Sequence, residues 1–181
     1  IYYMEQGKAE EALKHYEKAI ELNNNFYEAH WNRGLVLLFM GKFKEGWKEY
    51  EYRFKKENPS DSRVFKKLKW DGSFLNGKRV LVVGEQGFGD DIQFIRYLPL
   101  IKERDGYVIF ECKKELRRLL DGFAGIDEFI EKKDKIDLEY ESYIHLMSLP
   151  CIFETELNSI PNKIPYLIAK EPNKFKSFFE N

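Results

Sequence analysis

Residues Lys78 to Lys102, KRVLVVGEQGFGDDIQFIRYLPLIK, constrain the fold more than any other stretch of the chain. The run from Arg79 through Val80, Leu81, Val82 and Val83 stops at Gly84; glycines recur at Gly87 and Gly89, and Asp90 and Asp91 open a segment with helical period. A buried strand, a tight glycine loop and a helix N-terminus form the unit on which α/β proteins place ligand sites, at the carboxyl end of the strand. The spacing Gly84-x-x-Gly87-x-Gly89 reverses the dinucleotide fingerprint. Gly84 and Gly89 have the glycine separation of a P-loop, but Asp90 and Asp91 stand where Lys and Ser/Thr are required. Carboxylates there repel a phosphate and take the positive end of the helix dipole for themselves, so neither an ATPase nor a nicotinamide enzyme is expected. Asp90 is equally suited to a plain helix N-cap.

The N-terminal third repeats itself. Gly7-Lys8 and Gly41-Lys42, Glu11 and Glu45, Tyr16 and Tyr50, and Asn24 and Asn58 all keep one offset of 34 residues. That period with paired helices is the tetratricopeptide signature. Ala9, Ala12, Leu13, Tyr16, Ala19 and Ile20 form one apolar helical face, and Gly34 suits a close helix crossing. The second repeat departs from the pattern: Gly46 and Arg53 stand where small alanines are usual. It reads as a terminal repeat that packs on the next domain. About three repeats make a stable array, so an α/β cap or further repeats before Ile1 are expected.

Residues 58–77 combine Asn58-Pro59-Ser60-Asp61-Ser62, a basic stretch and Trp70-Asp71-Gly72-Ser73, and read as a solvated linker. The boundaries expected are repeats over 1–57, linker over 58–77 and an α/β domain over 78–181. Strands are expected at Tyr107–Glu111, Phe129–Ile130 and Tyr143–Met147, with a helix over Lys114–Leu120. Strands alternating with helices imply a parallel, doubly wound sheet, giving α + α/β as the fold class. Net charge is −1, which argues against nucleic acid despite Arg63, Lys66, Lys67 and Lys69. No run of eighteen apolar residues exists and no secretory signal opens the sequence, so a cytoplasmic protein without a membrane span is expected. Cys112 and Cys151 lack metal or disulfide spacing, and His15, His30 and His145 form no metal-ligand set. His15 and His30 read as structural, while His145 ends a strand on the ligand side.

In order along the chain, EGWKEYEYR (45–53), WDGS (70–73), GK (77–78), GEQGFGD (84–90), LMSLP (146–150), IP (160–161) and PYL (165–167) resemble a bacterial family of tetratricopeptide-containing glycosyltransferases. Their layout is similar to that of O-GlcNAc transferase, and their α/β part to that of the heptosyltransferases. The resemblance implies the GT-B architecture, two Rossmann-like domains facing a cleft, of which this chain carries the N-terminal, acceptor-side half. The nucleotide-sugar donor is then bound mainly by a second domain beyond Asn181, and no cofactor or metal is implied.

The same resemblance implies that Asp90 is the base of an inverting transfer to a hydroxyl acceptor. Glu85, Gln86, Gly87, Gly89, Gln93 and Ser148 are the candidate substrate-binding residues beside it. Repeats of this kind imply a protein or peptide partner. The alternative is a tetratricopeptide interaction module without catalysis.

Overall fold

A computed structural model describes residues 8–85, 87–133 and 136–168. Helix α1 (Ala9–Leu22) has Glu10 and Glu11 in its first turn, where the helix dipole favours carboxylates. It buries Ala9 and Ala12 against Val36 of α2 (Tyr27–Phe39). Helix α2 stops at Gly41, whose φ of +76° costs a residue without Cβ little. The amide of Lys42 bonds the Leu37 carbonyl and that of Gly41 the Leu38 carbonyl, the pair that closes a Schellman cap. The chain then turns back into α3 (Phe43–Tyr50) and a 3-10 turn, Glu51–Phe54. Two glycines set the α2–α3 crossing. A Cβ on Gly34 would lie 2.8 Å from the Tyr50 amide nitrogen, and one on Gly46 would lie 2.8 Å from Leu38.

Among the described residues five strands follow: β1 (Leu68–Lys69), β2 (Arg79–Val83), β3 (Tyr107–Cys112), β4 (Glu128–Glu131) and β5 (Ser142–His145). All pair in parallel in the order β1-β5-β2-β3-β4, with Arg79 opposite Tyr107 and Val83 opposite both Glu111 and His145. From β2 the chain steps outward through α4 (Phe88–Phe94) and α5 (Leu98–Lys102) to β3, and through α6 (Arg117–Leu120) to β4. It then returns to the other side of β2. Right-handed crossovers force a return in the opposite direction onto the opposite face. Val80, Val82, Val108, Phe110 and Ile144 accordingly share a core with Ile95, Leu98, Ile101 and Leu120 from the helical side. Leu81, Val83 and Ile109 face the other way, under Tyr140, Ile136 and Leu138 of the return connection and Phe65.

The sheet is therefore parallel, as expected, but helices cover one face among the described residues, and irregular chain covers the other. The segment expected to be a solvated linker is instead packed against both faces of the sheet and along its edge. It contributes Phe65, the edge strand β1 and Trp70, which is 3% exposed in the main core. The helical region joins the same core through Trp47, edge-on to Phe94, and Tyr50, whose hydroxyl donates to Met147 Sδ. Beyond β5 a 3-10 turn (Leu146–Ser148) leads into α7 (Leu149–Ile152).

Candidate functional site

The strand order reverses between β2 and β5, and it is at the carboxyl ends of such strands that open α/β sheets place their ligand crevice. Glu85 follows β2 on one side, and Met147 and Ser148 follow β5 on the other. Arg53, fully buried, reaches this crevice from the 3-10 turn after α3. Its guanidinium is bidentate on Glu85, with Nε 2.8 Å from Oε2 and Nη2 3.0 Å from Oε1. Nη2 also donates to Ser148 Oγ at 2.8 Å, and Nη1 to Glu51 Oε1 at 2.7 Å and the Tyr50 carbonyl at 3.2 Å. All five guanidinium N–H groups are thereby used.

The acceptors are as fully engaged as the donor. Glu85 Oε1 takes a further bond from the Met147 amide, and Ser148 donates its hydroxyl proton to Glu51. Burial drives the Glu51 carboxyl upward, but Arg53 and Lys69 outweigh it and hold the group below the usual carboxylate range. The Tyr50 phenol beside them is pushed up to about 12 by burial.

A second charged network lies along the same edge of the sheet. Arg63 is bidentate on the fully buried Glu111 of β3, at 2.6 and 2.8 Å, and also binds Asp61 at 2.8 Å. Asp61 Oδ2 lies 3.3 Å from His145 Nε2 at the end of β5. Burial raises the Asp61 carboxyl, yet the hydrogen bonds to His145 and Arg63 carry it well below the ordinary carboxylate range. The His145 ring is packed by Phe54 (centroids 4.4 Å apart) and Phe65 (5.5 Å). His145 therefore sits at the ligand edge, as its place in the sequence indicates, but is enclosed.

The glycine loop is the open part of this edge. Gly84 bonds the Glu111 carbonyl, and a Cβ there would lie 2.6 Å from that oxygen, which fixes the residue type. Gly87 and Gly89 are exposed, and a Cβ on Gly89 would meet nothing within 4 Å. Asp90, half-buried in the first turn of α4, accepts the Gly87 amide at 3.0 Å. Asp91 points inward, 1% exposed, and pairs with Lys113 at 3.2 Å; burial pushes its carboxyl up. Gln93 is exposed on α4 and its carbonyl accepts Arg96 Nε. Gln86 lies outside the described residues. Grooves of about 540 and 570 Å³ open elsewhere on the surface, and no glycine-loop residue lines either.

Of the residues singled out in the sequence, Gly87, Gly89, Asp90 and Gln93 thus lie together on an exposed loop and helix start. Glu85 and Ser148 lie in the crevice, both bonded to Arg53. Sequence reasoning flagged Arg53 as a departure from the repeat without assigning it a task. A charged residue on a buried helical face signals a buried partner, and the signal was there. Neither Asp61 nor Glu111 carried one, since an acid in a polar linker and an acid ending a strand are both ordinary. Among the described residues no His, Cys, Asp or Glu cluster could hold a metal ion, and no helix is long and apolar enough to cross a membrane.

Comparison with known proteins adds a partial match to this geometry. Residues 2–41 match the family described as TPR repeat. A tetratricopeptide repeat is present. The protein FlbA of Caulobacter vibrioides is 36% identical over 94 aligned residues, which cover 49% of this chain. The chain spans 16% of the length of that protein. No solved structure matches the chain. The matched residues fall in the helical region, which is joined here to a parallel α/β sheet.

Proposed function

We propose that this chain is the acceptor-side half of a GT-B-type glycosyltransferase, with Asp90 as the base that receives the acceptor's proton. The observation that carries the reading is the exposed, acidic glycine loop at the carboxyl end of the central strand, beside the switch-point crevice. An acidic loop suits a hydroxyl acceptor and disfavours a diphosphate. In the reaction, the acceptor oxygen bonds to the anomeric carbon as the bond from that carbon to the nucleoside diphosphate breaks, with inversion. The hydroxyl proton passes to the Asp90 carboxylate, which the Gly87 amide holds in place. The donor is a nucleotide-sugar bound mainly by a second domain, and no cofactor takes part. Gly87 and Gly89 leave room for the acceptor, Gln93 and, by sequence, Gln86 are hydrogen-bonding candidates for it, and Glu85 and Ser148 shape the crevice wall.

The repeats would bring a protein or peptide partner to this site, in the cytoplasm, where the free thiols of Cys112 and Cys151 are at home. The test is sugar transfer by the full-length protein across a panel of nucleotide-sugars. Asp90→Asn is expected to lower turnover by about 10²- to 10⁴-fold, the usual contribution of a positioned base. Near-normal turnover removes Asp90 from the role. A second reading, a binding module without catalysis, draws on the repeat match itself and on Leu22, Phe26 and Phe39, apolar side chains left exposed on the helical region. Peptide binding by the chain, with no nucleotide-sugar turnover by the full-length protein, would favour it.

A further inference from the structure

We infer that Arg53 is a positioning residue for the glycine loop, so that the end of the repeat region sets where Asp90 stands. The inference rests on the acceptor-site reading for what the loop holds, but not for the coupling itself. Glu85 is the second residue past β2, and its carboxylate is gripped on both oxygens by one guanidinium that comes from a different structural unit. Among the described residues, the same carboxylate receives one other side-chain hydrogen bond, from the Met147 amide in the loop after β5. Arg53 also binds Ser148 in that loop. Both walls of the crevice are thus tied to one side chain.

The remaining ties on the glycine loop are lighter. The Gly84 amide bonds the Glu111 carbonyl, and Lys132 Nζ lies 3.4 Å from the Glu85 carbonyl oxygen; at the far end the Asp91 amide bonds the Gly87 carbonyl at 3.2 Å and its carboxylate pairs with Lys113 at 3.2 Å. From Glu85 the backbone runs through the exposed Gly87 and Gly89 to Asp90, whose carboxylate accepts the Gly87 amide within the loop. Glycine-rich backbone holds no preferred path unaided. Removing the grip on Glu85 therefore frees the segment that presents Asp90, while the strands keep their pairing. A guanidinium suits the task and an ammonium does not. Five donors in a rigid plane serve Glu85, Ser148, Glu51 and the Tyr50 carbonyl at once.

Amide hydrogen exchange on the chain distinguishes positioning from plain structural support. In Arg53→Met, amides from Gly84 to Gly89 are expected to exchange about tenfold faster or more through local opening, while Val108, Ile109 and Phe110 in β3 speed up only by the fall in global stability that urea unfolding reads. Arg53→Lys should leave the loop rates raised, although it restores the charge. Unchanged loop rates, or loop amides that exchange only through global unfolding as those of β3 do, would overturn the inference. If Arg53→Met does not fold, Glu85→Gln is measured with the same expected and refuting results. It keeps an acceptor for Met147 and removes the ion pair. The full-length protein supplies the second arm. A drop in kcat with unchanged donor KM in Arg53→Lys supports positioning for transfer. A loosened loop in a protein that transfers no sugar leaves the coupling standing and removes only the acceptor reading.

Discussion

Replacing Arg53 by Met is the sharpest stability test the fold offers. The change keeps an apolar stem of similar length and deletes five hydrogen bonds at one stroke. The losses are uneven. Glu51 keeps Lys69 and the Ser148 hydroxyl, and it is partly open to water. Glu85 keeps only the Met147 amide among its side-chain bonds, and its side chain is 0% exposed. An uncompensated buried charge of that kind costs about 3–5 kcal/mol. For a chain of this size that corresponds to a fall in Tm of about 6–20 °C.

The double variant Arg53→Met/Glu85→Met removes the stranded carboxylate as well. Replacing both members of a buried pair by apolar groups is often close to neutral, and what remains is the unpaired Met147 amide, worth about 1–3 kcal/mol. The double variant should therefore melt above Arg53→Met. Thermal unfolding followed by circular dichroism, with urea titration for the free energies, measures all three chains. An Arg53→Met loss below about 1 kcal/mol, typical of an exposed pair, would refute the claim that the ion pair is dry. So would a double variant less stable than the single one.

Gly34→Ala places a methyl 2.8 Å from the Tyr50 amide nitrogen, against backbone that cannot swing aside. Overpacking of about 1–3 kcal/mol should exceed the gain of about 1 kcal/mol in helix propensity, and a raised Tm would show the α2–α3 crossing to be looser than described. Asp61, held ionised by His145 and Arg63, has a depressed folded-state pKa, so its stabilisation is complete above the unfolded value near 4 and fades as pH falls below it. Asp61→Asn should then cost about 1.5–3 kcal/mol at pH 7 and progressively less than that as the pH is lowered from 5 towards 2. An equal loss at every pH, read from urea unfolding at a series of pH values, would remove Asp61 from the acid response.

What the sequence made legible is what local pattern encodes. The apolar run at Arg79–Val83, the break at Gly84 and the helix start at the aspartates lie where strand, loop and helix begin and end, within two residues. Gly41 closes its helix, and Gly34 permits the crossing expected of it. The strand expected over Tyr143–Met147 stops at His145, because Leu146–Ser148 turn inward to meet Arg53 and Glu85. The edge strand β1 was invisible: two residues in a polar, basic stretch carry no alternation, and parallel pairing with Ser142 and Tyr143 is decided by the finished sheet. The Arg53–Glu85 and Arg63–Glu111 pairs join residues 32 and 48 positions apart. No periodicity records such partners, and the polar linker that brings Arg63 to β3 looks like any solvated turn.

The dry joint at Arg53 also bears on how such a chain can be cut and recombined. Composition would put the scissors near residue 58, between helices and sheet. A cut there would strip the sheet of the Arg53 guanidinium that neutralises Glu85 and of the Trp47 and Tyr50 rings that close its core. The last helical hairpin belongs, energetically, to the sheet. Repeats can be exchanged as cassettes only upstream of it, and a transplant that respects the visible linker would carry an open wound in its most buried place.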